Sequence, residues 1–417
     1  MAIISKFKTG SAKKILESFL SLSVLNVVNY IFPLIIIPIL IKRLGVENYG
    51  GYIFAYTVLN YMNLLVQYGF NFSATNKIAK NQGNVQLISE TYSSITVIRL
   101  VISFILVLIL LVLYLIIPDT LSLYLLGSGI FLGQGLIPVW LFQGLEKMKF
   151  ITIINLVVRL VAFVFIYNFV QTEQDMGLLM SFQSLSFMLG ALASAFIVYL
   201  TFKIKFFLPA FSQIKADLKE GWQLFLSTIG MNFYRESNII ILGLVTNYTV
   251  VGLYAPAEKL VKAMQSFTNI IVTALYPYFS RQFVQDNTTV MESFQKVGRY
   301  LTVFFLFGSV IICLLSSIII ELYLGEVIYN TVINLRILSF VILLGGLNYY
   351  YGIIGLVNRG ENKFFTKAVW LSGLSSIISC FFCVYFWGDI GASIAMVLAE
   401  LILLLLVFRK LKVISWG

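Results

Sequence analysis

Ionisable residues set inside apolar sequence are the places where this chain could do chemistry. Between Tyr234 and Thr273 two apolar runs are joined by a short polar turn, and within them stand Arg235, Glu236, Glu258, Lys259 and Lys262. Arg159 sits comparably deep in an upstream run. A charge at the centre of a membrane helix costs on the order of 3 kcal/mol or more, so these side chains have a reason to be there. One reading is that they pair with one another and only pack the protein. The other is that they line a wet cavity and hold an anion. Glu258 and Lys262 are spaced i, i+4 with the acid first, the favourable order for a helical ion pair. Glu236 can reach Arg235 or Lys259. After such pairing a surplus of cations remains, and Arg and Lys are good partners for phosphate. Arg99 and Arg336 lie nearer the ends of their runs, where a long side chain can snorkel to the interface. Glu400 stands alone in the last apolar run. A lone carboxylate in apolar surroundings tends to keep its proton, so Glu400 is either a proton site or, the favoured reading, a lateral contact to a basic residue. Glu236 and Glu400 are the candidates for coupling to H+ or Na+.

Two polar stripes recur in register. Asn60, Asn63, Gln67 and Asn71 share one helical face. At an offset of 202 residues the same face carries Lys262, Gln265, Asn269 and Thr273, and at that offset GGYIFA (Gly50 to Ala55) matches GLYAPA (Gly252 to Ala257). One polar face can be glue between helices. Two in register argue for halves of the same topology, 1–205 and 206–417, with both stripes turned to a common interior and related by an axis along the membrane normal.

The elements that must position these residues follow from composition. Of 417 residues, 59% are hydrophobic and 11% charged, with mean hydropathy +0.93. That balance excludes a soluble globular domain. At about 20 apolar residues per crossing, the chain offers twelve spans, from 16–41 to 390–408. An all-α polytopic membrane protein of two six-helix bundles is expected. The first span, its apolar part near Phe19 to Ile41, is too long for a signal-peptide core and is read as a retained helix.

The net charge of +11 does not call for a nucleic-acid partner, because the basic residues mostly flank apolar spans. Their distribution puts both termini in the cytoplasm, with Glu47, Asp119, Glu173, Asp175, Glu326 and Asp389 on the outer side. The loops are too short for a soluble catalytic domain. There is no histidine, and no nucleophile–base pair or metal cluster appears in the pattern. Cys380 and Cys383 read as small apolar residues, and Gly127, Gly129, Gly133 and Gly135 as a surface for close helix packing. No cofactor is expected.

Three stretches carry a resemblance: Pro38 to Ala55 (PILIKRLGVENYGGYIFA), Pro138 to Thr152 (PVWLFQGLEKMKFIT) and Ile241 to Met264 (ILGLVTNYTVVGLYAPAEKLVKAM). They are similar to the Wzx-type polysaccharide flippases, within the superfamily that includes the MATE multidrug exporters and the lipid II flippase. The resemblance implies a MATE-like, V-shaped pair of bundles around a central cavity. It implies passage of a polyprenyl-pyrophosphate-linked oligosaccharide from the cytoplasmic to the outer leaflet of a bacterial inner membrane, for O-antigen or capsule assembly. A polysaccharide polymerase and a chain-length regulator would be its partners. Lys259 matches the basic position of the family's A-x-K pattern. Relatives often place an acid just before I-L-G, where this chain has Asn238 with Glu236 nearby; the departure bears on any coupling role there. On this reading the pyrophosphate meets Arg159, Arg235, Lys259 and Lys262, with Glu258 balancing charge, and the sugar meets Asn60, Asn63, Gln67, Gln265 and Asn269. The membrane potential is a candidate driving force. The rival transporter is a cation-coupled drug exporter, which would favour an acidic cavity. The rival of another class is a membrane glycosyltransferase or polysaccharide polymerase, which would be expected to show catalytic residues in a sizeable loop.

Overall fold

The computed structural model describes the backbone of residues 9–283 and 288–416, and the side chains of 29–118, 121–226, 228–229, 237–283 and 290–413. Every regular element among the described residues is helical. In order these are α1 (Thr9–Gln67), α2 (Phe70–Lys80), α3 (Val85–Tyr114), α4 (Pro118–Leu126), α5 (Ser128–Leu136), α6 (Val139–Gly144), α7 (Met148–Phe169), α8 (Met176–Phe202), α9 (Phe211–Val245), α10 (Tyr248–Gln282), α11 (Thr288–Leu324), α12 (Tyr329–Tyr349) and α13 (Asn362–Trp416). A π-helical segment, Tyr350–Leu356, continues α12.

Local sequence sets several of these ends. Asn84 caps α3 by accepting from the Leu87 N–H, and Asn247 caps α10 by accepting from the Val250 N–H. Pro118 opens α4, where its missing N–H costs nothing.

Among the described residues, eight helical stretches are long and apolar enough to cross a membrane. That count falls short of the twelve spans expected from the sequence. Two of the eight, Asn29–Lys80 and Asn362–Val413, run to 52 residues each, more than twice the ~20 that one crossing takes. Each contains a glycine with non-helical backbone, Gly45 (φ 76°) and Gly388 (φ 54°). Neither α9 nor α10 is among the eight, and α10 carries Glu258, Lys259 and Lys262 in its middle.

The chain forms two compact units. The first holds Ala55–Ile229 with the start of α1 up to Phe32, and the second holds Pro33–Phe54 and the chain from Gly230 onward. Within the first unit, the glycines of α5 pack as the sequence suggests: a Cβ at Gly129 or Gly133 would run into Ser184 or the Phe187 backbone of α8. The segment between α8 and α9 is fastened to α3. Ser89 and Ser93 accept from the Lys205 and Phe207 N–H groups at 3.2 and 2.9 Å. Asp217, buried near the start of α9, accepts from Lys77 at 2.7 Å, Ser94 at 2.6 Å and Gln213 at 3.0 Å. These bonds hold the linker and the first turns of α9 in the first unit.

In the second unit, α1 and α10 cross at a reciprocal pair of glycines. A Cβ on Gly50 would overlap the Tyr248 carbonyl, and a Cβ on Gly252 would overlap the Val46 carbonyl. Val46 and Tyr248 are separated by 202 residues, as are Gly50 and Gly252. The repeat that relates the two sequence motifs therefore also relates the two contacts. At such a crossing only hydrogen-sized side chains let the backbones meet.

Candidate functional site

The cations of α10 lie in the second unit, on a helix closely packed over its first half. Tyr254, Ala255, Ala257 and Val261 are fully buried, and the Thr331 hydroxyl of α12 bonds the Leu253 carbonyl at 2.9 Å. Lys259, Lys262, Gln265 and Asn269 are half-buried, and Thr273 is exposed. Lys262 Nζ meets Glu258 Oε1 at 3.1 Å, as the i, i+4 spacing predicts. The two partners differ in access: the Lys262 side chain is 18% exposed and Glu258 is 0% exposed. Lys259 forms no ion pair among the described residues. Gln265 lies flat on α12, where its amide fills the space a Cβ at Gly345 would need. Thr273 donates to the Asn269 carbonyl at 2.7 Å, and its hydroxyl lies 3.3 Å from that of Tyr349. Thr273, Tyr276, Tyr349 and Ile353 border a cavity of about 270 Å³ beside the π-helical segment. Such insertions often accompany functional positions.

Beneath the stripe lies a sealed polar group. Asn238 Nδ2 donates to the Tyr254 hydroxyl at 3.1 Å, and that hydroxyl lies 3.5 Å from Glu258 Oε1. Glu258 Oε2, Asn238 Oδ1 and the hydroxyls of Tyr49 and Tyr323 are buried without a partner among the described residues. Glu258 is thus an internal counter-ion in this structure, away from open space.

The first unit treats its stripe differently. Asn63 is 4% exposed and donates to Gln134 of α5 at 2.8 Å, and Asn71 donates to Gln67 at 2.9 Å. Arg99 does not snorkel. It is 2% exposed and donates to the Gly135 carbonyl at 2.8 Å and to Asn71 Oδ1 at 3.2 Å. Asn60 is half-buried. Arg159 donates to Asn29 at 2.7 Å and lies over the Phe32 ring.

The remaining candidates lie elsewhere. The side chains of Arg235 and Glu236 fall outside the described residues. Glu400 on α13 accepts from the Asn348 amide at 2.6 Å. Arg336 is exposed and bonds Ser316 and Ser317 of α11. Asp389, expected on an outer loop, is buried and accepts from Asn334 at 2.7 Å, while Ser393 donates to the same asparagine at 2.8 Å. This triad and the Asp217 cluster were not visible as sites in the sequence. The polar residues of α12 at Asn334 and Asn348, two well-separated amides in an apolar run, were the signal available. The set assembled on α10 is a binding surface: half-exposed cations and amides in a row, backed by a buried carboxylate.

The family model described as polysaccharide biosynthesis protein matches residues 15–283, more than half of the chain. Two relatives share the name "Putative O-antigen transporter". The one from Escherichia coli (strain K12) is 29% identical over 386 residues, covering 91% of this chain and 92% of the relative. The one from Shigella dysenteriae is 25% identical over 410 residues, covering 95% and 100%. Among solved structures, the lipid II flippase MurJ in an inward closed conformation superposes with TM-score 0.73 at 13% identity, over 95% of this chain and 87% of that one. An inward-facing MATE multidrug transporter gives TM-score 0.62 at 14% identity, over 96% and 99%. The fold is therefore MurJ- and MATE-like, the chain is a multi-pass membrane protein, and it belongs to the polysaccharide biosynthesis protein family.

Proposed function

We propose that this protein is a flippase that moves a polyprenyl-pyrophosphate-linked oligosaccharide from the cytoplasmic to the outer leaflet of a bacterial inner membrane, for O-antigen or capsule assembly. It is a transporter without a catalytic step. Its twelve crossings fall into two six-helix halves, 1–205 and 206–417, with both termini cytoplasmic. A polysaccharide polymerase and a chain-length regulator act on what it delivers. The observation that carries this reading is the accessible row on α10, where Lys259 and Lys262 stand beside Gln265 and Asn269. Support comes from the two relatives named as O-antigen transporters.

The physics is consistent. An anion stripped of water loses several kcal/mol, roughly, unless cations replace its hydration shell. Lys259 and Lys262, with Arg159 and Arg235 as further candidates, would replace that shell for the pyrophosphate. The amides would meet the sugar, and the lipid tail would stay in the bilayer. With the cell interior negative, outward movement of an anion is downhill by about 2.3 kcal/mol per charge per 100 mV. The test is flipping of a fluorescent lipid-pyrophosphate-linked sugar in proteoliposomes under an imposed potential of either sign. Faster outward flipping with a negative interior is expected. An unchanged rate after removing both lysines, or transport of organic cations in place of the lipid, would overturn the reading in favour of a MATE-type drug exporter.

A further inference from the structure

We propose that the cavity beside the π-helical segment is a subsite for a distal sugar of the lipid-linked oligosaccharide, well beyond the sugar bonded to the pyrophosphate. The inference rests on the proposal that the cations of α10 hold the pyrophosphate. Its basis is where the cavity lies along the helix and what lines it.

Lys262, Gln265, Asn269, Thr273 and Tyr276 follow one another at spacings of three and four residues, so they run down one face of α10. At 1.5 Å per residue, Thr273 lies about 16 Å and Tyr276 about 21 Å along the axis from Lys262. One pyranose attached to a pyrophosphate at Lys262 does not span that distance. A glycan of several sugars laid along the face does. The cavity at the far end has a volume of about 270 Å³. An apolar cavity of about 150 Å³ takes up a benzene ring, so this one has room for a single substituted sugar and not for a whole oligosaccharide.

The lining suits a group with apolar faces and hydroxyl edges. Val272 and Ile354 form a fully buried floor, and Ile353 and Val357 add aliphatic surface. Tyr276 and Tyr349 bring aromatic rings, each with an apolar face and a polar tip. Thr273 donates its only hydroxyl proton to the Asn269 carbonyl, so Tyr349 is the donor in its contact with Thr273 and keeps oxygen lone pairs for an incoming hydroxyl. The Tyr276 hydroxyl has no hydrogen-bond partner among the described residues. Pro277 has no N–H to give the Thr273 carbonyl, so that acceptor lacks its helical donor at the cavity's edge. A prenyl chain would use none of these polar groups. The wall is also preformed. Tyr350, within the π-helical segment, is fully buried, donates to the Phe294 carbonyl at 2.8 Å and stacks on the Phe294 ring. A rigid wall spares the cost of ordering it on binding.

The test uses the full-length protein in lipid nanodiscs and the polyprenyl-pyrophosphate-linked oligosaccharide extracted from its host, either intact or trimmed by exoglycosidases to the first sugar. The two probes share lipid and pyrophosphate, so the ratio of their Kd values isolates the outer sugars. The wild type should bind the intact glycan about tenfold more tightly. Tyr276→Leu, at a side chain 37% exposed, and Ile353→Phe, which fills the cavity, should each bring the ratio close to one. A wild-type ratio near one, or a preference that survives Tyr276→Leu, overturns the subsite and leaves the pyrophosphate reading standing. Equal weakening of both probes assigns the cavity to the shared prenyl chain and likewise overturns it. Binding of neither probe by the wild type overturns both readings. Where Ile353→Phe fails to fold, Tyr276→Leu decides alone.

Discussion

The two polar stripes occupy equivalent sequence positions and have different fates. In the first unit Asn63, Gln67 and Asn71 are closed on partners of their own unit, and the cation they adjoin, Arg99, is sealed against the Gly135 carbonyl. In the second unit the stripe begins with Lys262, half-buried beside a fully buried acid, and ends at exposed Thr273 on a cavity wall. A polar residue in a membrane helix does one of two jobs: it satisfies a neighbour, or it waits for a ligand. The difference lies in access: Asn63 and Arg99 are closed off, whereas Lys262 keeps an open side even while paired with Glu258.

The hardest test of that contrast is to remove the accessible charges. Each charge-assisted contact to a pyrophosphate is worth about 1.5–3 kcal/mol, so Lys259→Ala with Lys262→Ala should cut lipid flipping in proteoliposomes on the order of a hundredfold or more. Lys→Arg at either position should be milder. Removing Lys262 leaves the buried Glu258 without its ion-pair partner, so flipping is read per folded molecule; Lys259→Ala alone should leave protein level near wild type, and a collapse of expression there would place Lys259 with Arg99 as structural.

Asn63→Leu probes the closed stripe. It removes the donor to the half-buried Gln134 carbonyl, at a cost of about 0.5–1.5 kcal/mol of stability. Thermal unfolding in detergent should report that loss, with flipping per folded molecule little changed. A variant of normal stability that fails to flip would turn the first stripe into a binding surface as well.

Much of this was legible in advance. The apolar composition dictated an all-helical membrane protein, and the i, i+4 spacing located the Glu258–Lys262 pair. The glycines of α5 announced close packing. What stayed hidden depends on contacts that hydropathy cannot encode. Depth along a helix does not reveal that Arg99 faces the Gly135 carbonyl. Outer-loop charge does not reveal that Asp389, next to the turned backbone of Gly388, is taken up by Asn334. Ser89 and Ser93 read as ordinary small residues of α3, yet their hydroxyls fasten the linker.

Smaller effects refine the open stripe. Gln265→Leu removes an amide from the row while keeping contact with Gly345, and should lower the affinity for a lipid-linked sugar about tenfold, or ~1.4 kcal/mol. Isothermal titration against the same lipid lacking its sugar separates a sugar contact, lost only for the glycosylated ligand, from a packing defect, lost for both. Thr273→Val breaks the contact with Tyr349, a neutral hydrogen bond worth ~1 kcal/mol or less. A twofold to fivefold change in flipping rate is expected, and no change at all would detach the cavity from the transport route.

The reciprocal crossing of Gly50 and Gly252 limits how this sequence can evolve. Where two side chains collide, one can be trimmed by a second mutation and the fit restored. Here each glycine faces a carbonyl of the other helix, and every residue type carries that carbonyl. No second-site change at Val46 or Tyr248 can make room for a methyl group. The two positions are therefore locked separately, each by the backbone of the helix it meets.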